Sequence, residues 1–341
     1  MFSKDVGIDL GTANTLVYVR SKGVVVNEPS VVAINEATGE VLAVGDHAKD
    51  MIGRTPGTIT AVRPMRDGVI ADFEVTQAMI RKFIKKATNS SGFFFRPMIV
   101  ICIPSGSTEV EKRAVEEAGQ QAGAKEVYMV YEPMAAAIGA GLPVGDPTGS
   151  MIVDIGGGTS EVAVISLGGI VNCQSLRVAG DAFDTAIGNF IKKEYNLQIG
   201  DRTAELVKIQ IGSAYPYENE EPMEVKGRDL ISGLPTYVTI KASEIRKALS
   251  EPVSEIIDCI KNTLENTPPE LAADIMERGI MLAGGGALLR GLDSIIEMET
   301  HIPVHIAENP LNGVIRGIGI ILEGEDRSGL RRVLESTKRG R

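Results

Sequence analysis

The chain has 341 residues, of which 43% are hydrophobic and 23% charged, so we expect a folded protein with two domains. Its formal net charge of −10 disfavours general nucleic-acid binding, because that affinity comes mainly from cations that neutralise phosphates. No stretch approaches the roughly 20 apolar residues that cross a bilayer. Residues 1–5 lead almost directly into a predicted strand and leave no room for a signal peptide, so we expect a cytoplasmic protein.

The first predicted element is a hairpin over residues 6–19. Apolar residues flank the segment Asp9-Leu-Gly-Thr-Ala-Asn14, so a buried carboxylate precedes a turn of small residues. The further elements predicted in the first half are strands at 23–26 and 30–34, a small inserted subdomain at about 34–70, a helix at 73–87, a strand at 98–103, a helix from a capping box of Thr108 and Glu111 to about Gly123, a strand at 127–130 and a small-residue helix at 131–141.

A second hairpin of the same kind follows a linker rich in proline and glycine at 143–149. The apolar run Met151–Val153 leads into Asp154-Ile-Gly-Gly-Gly-Thr159, after which a strand resumes. Aligning Asp9 with Asp154 also aligns the glycine that follows two residues later in each hairpin. The three consecutive glycines remove the Cβ atoms that would keep an anion away from backbone N–H groups. The pattern therefore predicts a duplicated fold with one phosphate-binding hairpin in each half.

The second half repeats this plan with different insertions. Its further predicted elements are a helix that follows Gly180-Asp181, a helix at 203–211, a small β-containing subdomain around 214–240, a long amphipathic helix at 243–267 that Pro252 should kink or restart, a strand at 279–283, a helix from Ala287 to about Glu297, a strand at 303–306, a helix at 314–322 and a basic tail at 327–341.

The two hairpin aspartates, Asp9 and Asp154, lie where predicted buried strands end. An unpaired carboxylate is costly there, so we expect a metal ion or a hydrogen-bond partner. We favour Mg²⁺ held through its water molecules, because Mg²⁺ gives up its hydration shell reluctantly. The alternative is that both aspartates are structural residues of capped turns.

Several segments together resemble known sequence signatures. Asp9–Asn14, Glu132-Pro-Met-Ala-Ala-Ala, Asp154–Thr159 and Leu282-Ala-Gly-Gly-Gly-Ala-Leu-Leu289 are similar to the motifs of the actin, sugar-kinase and heat-shock-chaperone ATPase superfamily. More closely, the chain resembles the bacterial actin family of MreB, on the segments Gly7–Asn14, Asn27-Glu-Pro-Ser30, Gly53-Arg-Thr-Pro-Gly57, Asp67-Gly-Val-Ile-Ala-Asp72 and Thr267-Pro-Pro-Glu-Leu271. The resemblance covers essentially all of residues 5–325.

The resemblance implies an α/β, actin-like fold. Two duplicated, ribonuclease-H-like domains would enclose a nucleotide cleft, and each would carry a small inserted subdomain. Domain I would comprise residues 1–145 and 310–341, with its insertion at about 34–70. Domain II would comprise residues 146–309, with its insertion at about 182–243.

The resemblance also implies the residues of an ATP site. It places Glu132 where the family orients the attacking water, with Thr159 nearby. The phosphates would be contacted by Thr12, Ala13, Asn14, Gly156, Gly157, Gly158 and Thr159. Ribose and adenine would be contacted by Gly180, Glu205, Lys208, Gly284, Gly285, Gly286 and Ala287. From the spacing alone, Glu205 and Lys208 could instead form an i, i+3 surface pair, and Asp181 could simply be an N-cap.

A cluster of three phenylalanines, Phe93, Phe94 and Phe95, bears on membrane binding. Adjacent side chains point in different directions in a helix or a strand, so we expect at least one to be exposed. The loop resembles the membrane-inserting loop of the MreB family, and basic residues lie near it in sequence. A single subunit would bind a membrane weakly, whereas a filament would bind the membrane firmly through multivalency. The alternative is a buried aromatic cluster.

The resemblance implies a slow ATPase that uses ATP and Mg²⁺, polymerises with itself and directs cell-wall elongation and rod shape. We expect it at the inner face of the cell membrane, with membrane proteins of the elongation machinery as partners and no nucleic-acid partner. A scaffold that binds nucleotide without turnover, a chaperone-type ATPase and a sugar kinase are the alternatives. A chaperone would need a substrate-binding domain, and no sugar-site motif is recognisable.

Overall fold

The computed structural model describes residues 5–88 and 97–324. Its strands are β1 (Val6–Leu10), β2 (Asn14–Val19), β3 (Gly23–Pro29), β4 (Val32–Asn35), β5 (Val41–Val44), β6 (Ile59–Val62), β7 (Met65–Arg66), β8 (Val69–Ile70), β9 (Met98–Ile103), β10 (Glu126–Tyr131), β11 (Ser150–Ile155), β12 (Ser160–Ser166), β13 (Gly169–Leu176), β14 (Leu197–Gln198), β15 (Met223–Asp229), β16 (Pro235–Ile240), β17 (Ile280–Ala283) and β18 (Val304–Ile306).

The helices of the described residues are α1 (Asp46–Lys49), α2 (Phe73–Thr88), α3 (Glu109–Gln121), α4 (Glu132–Gly139), α5 (Gly180–Tyr195), α6 (Asp201–Ile211), α7 (Ala242–Glu265), α8 (Pro269–Arg278), α9 (Leu292–Thr300) and α10 (Gly313–Glu323). Short 3₁₀ helices occur at Gly285–Leu288 and Pro310–Asn312. Within these ranges, no helix combines the length and the apolar character needed to cross a membrane.

Two five-stranded sheets with matching topology form the centre of the molecule. The first has the order β10-β9-β1-β2-β3 and the second, read from its other edge, β18-β17-β11-β12-β13. In each sheet a hairpin supplies the antiparallel pair, β1 with β2 and β11 with β12, and two later strands add in parallel. The predicted duplication is therefore present in the strand order itself.

Helices α4 and α10 pack against each other in the layer between the two sheets. An added Cβ at Gly139 would overlap the Gly313 carbonyl oxygen, and one at Gly317 would overlap the Ala135 carbonyl oxygen. These glycines allow the two backbones to approach closely. The small-residue helix predicted after Tyr131 is thus confirmed, and its partner is the last helix of the described chain.

Each half also carries a small three-stranded sheet. The first half has β5-β4-β6 with α1 packed on it, and the second has β14-β15-β16. Strand β4, residues 32–35, pairs with β5 and β6 rather than with the first central sheet. The positions agree with the two predicted insertions, whereas the domain boundaries themselves stay predictions.

Two expectations for the second half differ from the structure, and two of its elements were not expected. Pro252 lies inside α7, which runs without a restart, and its buried face packs on the core. The helix predicted from Ala287 to Glu297 is wrong: a 3₁₀ turn ends at Leu288, and Gly291, with φ of 70°, separates it from α9. Strand β13 and helix α8 were not predicted.

Candidate functional site

A cavity of about 430 Å³ opens between the two central sheets, a volume suited to a small-molecule ligand. Its walls include almost every candidate that the sequence singled out. Those residues are Asp9, Thr12, Ala13, Asn14, Glu132, Asp154, Gly156, Gly157, Gly158, Thr159, Gly180, Glu205, Lys208, Gly284, Gly285 and Gly286. Ala287 is the exception, because the 3₁₀ turn places it fully buried in the core of the second half.

The turns of the two hairpins meet at one end of the cavity. Each is closed by the same hydrogen bond, from Gly11 N–H to the Asn14 carbonyl (3.1 Å) and from Gly156 N–H to the Thr159 carbonyl (2.8 Å). A Cβ added at Gly157 would lie 2.7 Å from the Cβ of Ala13. The second turn can approach the first this closely only because it lacks side chains.

A third turn, Asp67-Gly68 between β7 and β8, completes this end of the cavity. The Gly68 N–H donates to Thr12 Oγ1 at 3.0 Å. Gly68 has φ of 75°, and an added Cβ would lie 2.8 Å from Pro104 and 3.0 Å from the Thr159 methyl group. Sequence reasoning did not assign this turn to the site, although a D-G dipeptide is a known turn signal.

Three carboxyl groups, Asp9, Glu132 and Asp154, lie beside the turns. Burial raises the pKa of Asp9 to about 7, and burial with the charges of Asp9 and Glu161 raises that of Asp154 to about 8. The pKa of Glu132 is also well above its usual range, through burial first and then through the charges of Glu161, Asp9 and Asp154. Carboxylates that are largely removed from solvent and repel one another form an environment that attracts a cation.

The chemistry of Asp9 and Asp154 fits hydrated Mg²⁺. Both are hard oxygen donors near the ends of β1 and β11, the first strands of the two hairpins, and both line the cavity. Within residues 5–88 and 97–324, no group of three or more His, Cys, Asp or Glu side chains is arranged to hold a metal ion directly. The expected mode of binding, through water molecules, uses fewer protein oxygens than direct coordination.

Polar side chains from α5 and α6 line the middle of the cavity. Lys208 donates to the Gly180 carbonyl at 3.0 Å and pairs with Asp184 at 2.9 Å. Glu205 instead pairs with Lys49 of α1 at 3.3 Å. The i, i+3 surface pair considered for Glu205 and Lys208 is therefore wrong, because each has a partner on another element.

Asp181 lies in the first turn of α5 and is not its N-cap, which is Ala179. Its N–H donates to the Gly157 carbonyl at 2.8 Å, and its carboxylate pairs with Arg63 at 3.2 Å. The side chain thus joins the two halves of the molecule across the cavity. The N-cap reading of Asp181 was wrong.

The third glycine cluster forms the far wall. Gly284 has φ of 77°, and a Cβ there would lie 2.5 Å from the Asp154 carboxylate. Beyond it the wall becomes apolar, with Ile209, Leu288 and Leu311 lining the cavity although each is more than half exposed. Exposed apolar side chains facing a concave surface are suited to a flat organic ring.

Comparison with known proteins identifies the family. The family described as MreB/Mbl protein matches residues 3–329. The chain belongs to the MreB/Mbl family. It is 51% identical to the cell shape-determining protein Mbl of Bacillus subtilis, over 96% of this chain and 98% of that protein. It is 54% identical to the cell shape-determining protein MreB of Escherichia coli K12, over 96% of each chain.

Solved structures of an MreB relative share the fold over its whole length. MreB5 of Spiroplasma citri bound to ADP is 42% identical and superposes with a TM-score of 0.90, over 96% of this chain and 97% of that one. The same protein bound to AMPPNP superposes with a TM-score of 0.89. The predicted actin-like α/β fold is therefore confirmed, as is the resemblance to the MreB family.

Some predicted residues lie outside the described part of the chain, and some residues of the cavity were not predicted. Phe93, Phe94 and Phe95 lie outside the described residues, so their role stays a prediction. Residues that sequence reasoning missed enter the cavity from distant elements: Lys49, Arg63, Asp184, Ile209, Leu288, Arg290 and Leu311. Leu288 lies within the quoted glycine motif but was not singled out, and the others have no local motif, so only packing brings them together.

Proposed function

We infer that this MreB/Mbl family member is an ATPase that binds ATP with Mg²⁺ in the cavity and hydrolyses it slowly as it polymerises. The observation that supports this best is the arrangement at one end of the cavity. A glycine turn and a turn of small residues face each other there, and three carboxyl groups, of which Asp154 is buried and Asp9 and Glu132 are half-buried, stand beside them. The turns offer backbone N–H groups to phosphates, and the carboxylates suit a hydrated cation and a water nucleophile.

The hairpins would hold the phosphate groups. Residues Thr12 to Asn14 and Gly156 to Thr159 would contact them, while Asp9 and Asp154 would hold Mg²⁺ through its water molecules. The ion would supply positive charge that offsets the charge of the phosphates. Ionised Asp9 and Asp154, which burial disfavours, would then be the stable forms.

Glu132, the first residue of α4, would orient the attacking water. A carboxylate with a raised pKa is a better proton acceptor than an exposed one. It would accept a hydrogen bond from the water as the new bond forms to the γ-phosphorus and the bond to the ADP oxygen breaks. Thr159, which is buried in the turn of the second hairpin, would help to place that water.

The nucleoside would occupy the middle and far wall of the cavity. Glu205, Lys208 and Gly180 would meet the ribose, and Gly284 to Gly286 would let the base approach the backbone. The apolar side chains of Ile209, Leu288 and Leu311 would cover the face of the adenine ring. Because Glu205 also pairs with Lys49, the ribose would meet a side chain that already joins α6 of the second half to α1 of the first.

At the cellular level we infer self-assembly into filaments on the inner face of the cell membrane, acting with membrane proteins of cell-wall elongation to maintain rod shape. The names of the Mbl and MreB relatives, both cell shape-determining proteins, support this role. Phe93 to Phe95 would be the membrane contact.

The test of the ATPase is Glu132→Ala. We expect it to bind ATP and form filaments, measured by nucleotide binding and electron microscopy, while phosphate release falls about 100-fold, as is typical when a group acting on the nucleophile is removed. Glu126→Ala, at the exposed start of the same strand that leads into Glu132, is the matched control and should release phosphate normally. Normal release by Glu132→Ala would exclude the assigned role, and no turnover by the natural chain would favour a nucleotide-binding scaffold.

A further inference from the structure

A buried carboxylate outside the cavity connects the two halves of the molecule. Glu161 is the second residue of β12 and has no exposed surface, and among the described residues it is not one that lines the cavity. A buried carboxylate is costly unless its oxygens are hydrogen-bonded. Its presence therefore calls for an explanation other than contact with a ligand.

Both oxygens of Glu161 accept hydrogen bonds, and they do so from opposite halves. Oε2 accepts from the backbone N–H of Ser105, at 3.1 Å, and from the Ser105 hydroxyl. Oε1 accepts from the Ser175 hydroxyl at 2.5 Å. Ser105 follows β9 of the first sheet, whereas Ser175 is on β13 of the second. The carboxylate thus fastens a turn of the first half to the second sheet.

The turn held by Glu161, Pro104–Gly106, lies next to the end of the cavity where the hairpin turns meet, and it adjoins this end on two sides. Ile103 pairs with Tyr131, the residue before Glu132, so the turn and Glu132 leave neighbouring parallel strands at the same edge. On its other side, Pro104 packs close to Gly68, and so does Thr159: a Cβ added at Gly68 would lie 2.8 Å from Pro104 and 3.0 Å from the Thr159 methyl group. A displacement of this turn would reach both Glu132 and Thr159.

Close packing reinforces the attachment. A Cβ at Gly106 would lie 3.1 Å from the Cβ of Ser175, and Cys173 Sγ donates to the Ser105 hydroxyl at 3.0 Å. Asp154 and Glu161 are direct partners in the β11–β12 ladder, so their side chains lie on the same face of the sheet. Glu161 is therefore placed on the side of the second sheet that faces the first.

We propose that Glu161 is a positioning residue for hydrolysis: by joining the Pro104–Gly106 turn to the second sheet, it fixes Glu132 relative to Thr159 when the two halves close on nucleotide. It acts through Ser105 and touches neither the nucleotide nor the attacking water. The inference rests on the proposed ATPase function and adds a residue that controls its rate without controlling nucleotide affinity.

The test is a comparison of Glu161→Ala and Glu161→Gln in steady-state phosphate release with the full chain. Alanine removes all three hydrogen bonds, so we expect kcat to fall about tenfold or more, because small misplacements of catalytic groups have effects of this size. KM should stay within about threefold, since Glu161 lies outside the cavity. Glutamine can accept from Ser105 through its oxygen and donate to Ser175 through its amide, so we expect its kcat to stay well above that of Glu161→Ala.

The control is Ser160→Ala on the same strand. Its hydroxyl is buried and donates to the Val178 carbonyl at 2.6 Å, so the variant loses a buried hydrogen bond of β12 without loosening the turn, and kcat should not change. If Glu161→Ala does not fold, the double variant Ser105→Ala with Ser175→Ala removes two of the bonds and keeps the carboxylate. It should lower kcat and leave KM unchanged.

Three results would overturn the proposal: a normal kcat in Glu161→Ala or in the double serine variant, a rise in KM that accounts for the whole effect, or a Glu161→Gln variant as slow as Glu161→Ala. Failure of the proposed function is a separate result, because it would appear as absent phosphate release by the natural chain in the same assay. Turnover by the natural chain with unimpaired Glu161 variants would overturn only the positioning role.

Discussion

The two hairpins of the duplicated fold have the same backbone and opposite use of side chains. In the first, Thr12 and Ala13 fill the space at the turn, and Leu16 is the ladder partner of Asp9. In the second, glycines leave that space empty, and Glu161 is the ladder partner of Asp154. The side chains of the first turn occupy the space that the glycines of the second turn leave free. The duplicated halves have thus become complementary, which a symmetrical pair of turns could not be.

The largest effect on this complementarity should come from Gly158→Ala. The added Cβ would lie 2.6 Å from Thr12 Oγ1 and 2.9 Å from the Asp67 backbone, and the Asp67 backbone cannot move away as a flexible side chain could. We expect the turns to separate and ATP affinity to fall at least about tenfold, measured by equilibrium binding. Gly145→Ala, where an added Cβ meets nothing within 4 Å, should bind normally. Unchanged affinity in Gly158→Ala would show that the close approach of the turns is not needed.

A smaller effect should come from restoring complementarity in a new form. Gly157→Ala collides mainly with the side chain of Ala13, at 2.7 Å, although the Ala13 backbone nitrogen is also near at 3.1 Å. Combining it with Ala13→Gly should therefore recover part of the ATP affinity that Gly157→Ala loses. Equal affinity of the single and double variants would mean that the two turns do not compete for the same space.

The carboxylates of the two hairpins should also differ in their effect on stability. The folded-state pKa values, about 8 for Asp154 and about 7 for Asp9, lie above those of the unfolded chain. The folded state therefore binds more protons, and stability without nucleotide falls as pH rises from about 4 to about 8. Asp154→Asn should raise the unfolding temperature at pH 8, by the equivalent of a few kcal/mol, and leave it nearly unchanged at pH 4.

Asp9→Asn should show the same trend with a smaller gain, levelling off nearer pH 7. Thermal unfolding of the three proteins without nucleotide across this pH range measures the difference. A stability gain that is equal at pH 4 and pH 8 would mean that ionisation is not its cause. The same substitutions should weaken binding of Mg²⁺ with nucleotide, because they remove the charge that attracts the ion.

Local patterns predicted the parts of the site that depend on local chemistry. The glycine turns, Asp9 and Asp154 follow from short motifs, and the strand-to-helix junction at Glu132 follows from its neighbours. The pairs of Arg63 with Asp181 and Lys49 with Glu205 could not be predicted, because ordinary charged residues far apart in sequence meet only after folding. Glu161 left a signal that was not used: a carboxylate directly before the apolar run 162–165 of a central strand calls for a buried partner.

The helix expected from Ala287 shows a different limit. Its apolar spacing is compatible with one helix, but Gly284 and Gly291 adopt left-handed conformations with φ of 77° and 70°. The cavity wall requires the first, since a Cβ at Gly284 would collide with Asp154. The break itself lies at Gly291, where an added Cβ would lie 2.6 Å from the Cβ of Tyr215, so the close approach of Tyr215 prevailed over helical periodicity.

The smallest effect should come from the ion pairs that join the α1 region of the first half to α6 of the second. Lys49 and Glu205 are each about one third exposed in their side chains, so the pair contributes on the order of 0.5 kcal/mol or less to folding. Lys49→Ala should thus leave thermal stability nearly unchanged and free Glu205 to meet the ribose. We expect ATP affinity to stay the same or rise slightly, with less dependence on salt. Arg202→Ala, which breaks the more exposed pair with Asp50 outside the cavity wall, is the control. A clear loss of ATP affinity in Lys49→Ala alone would instead mean that Lys49 contacts the nucleotide itself.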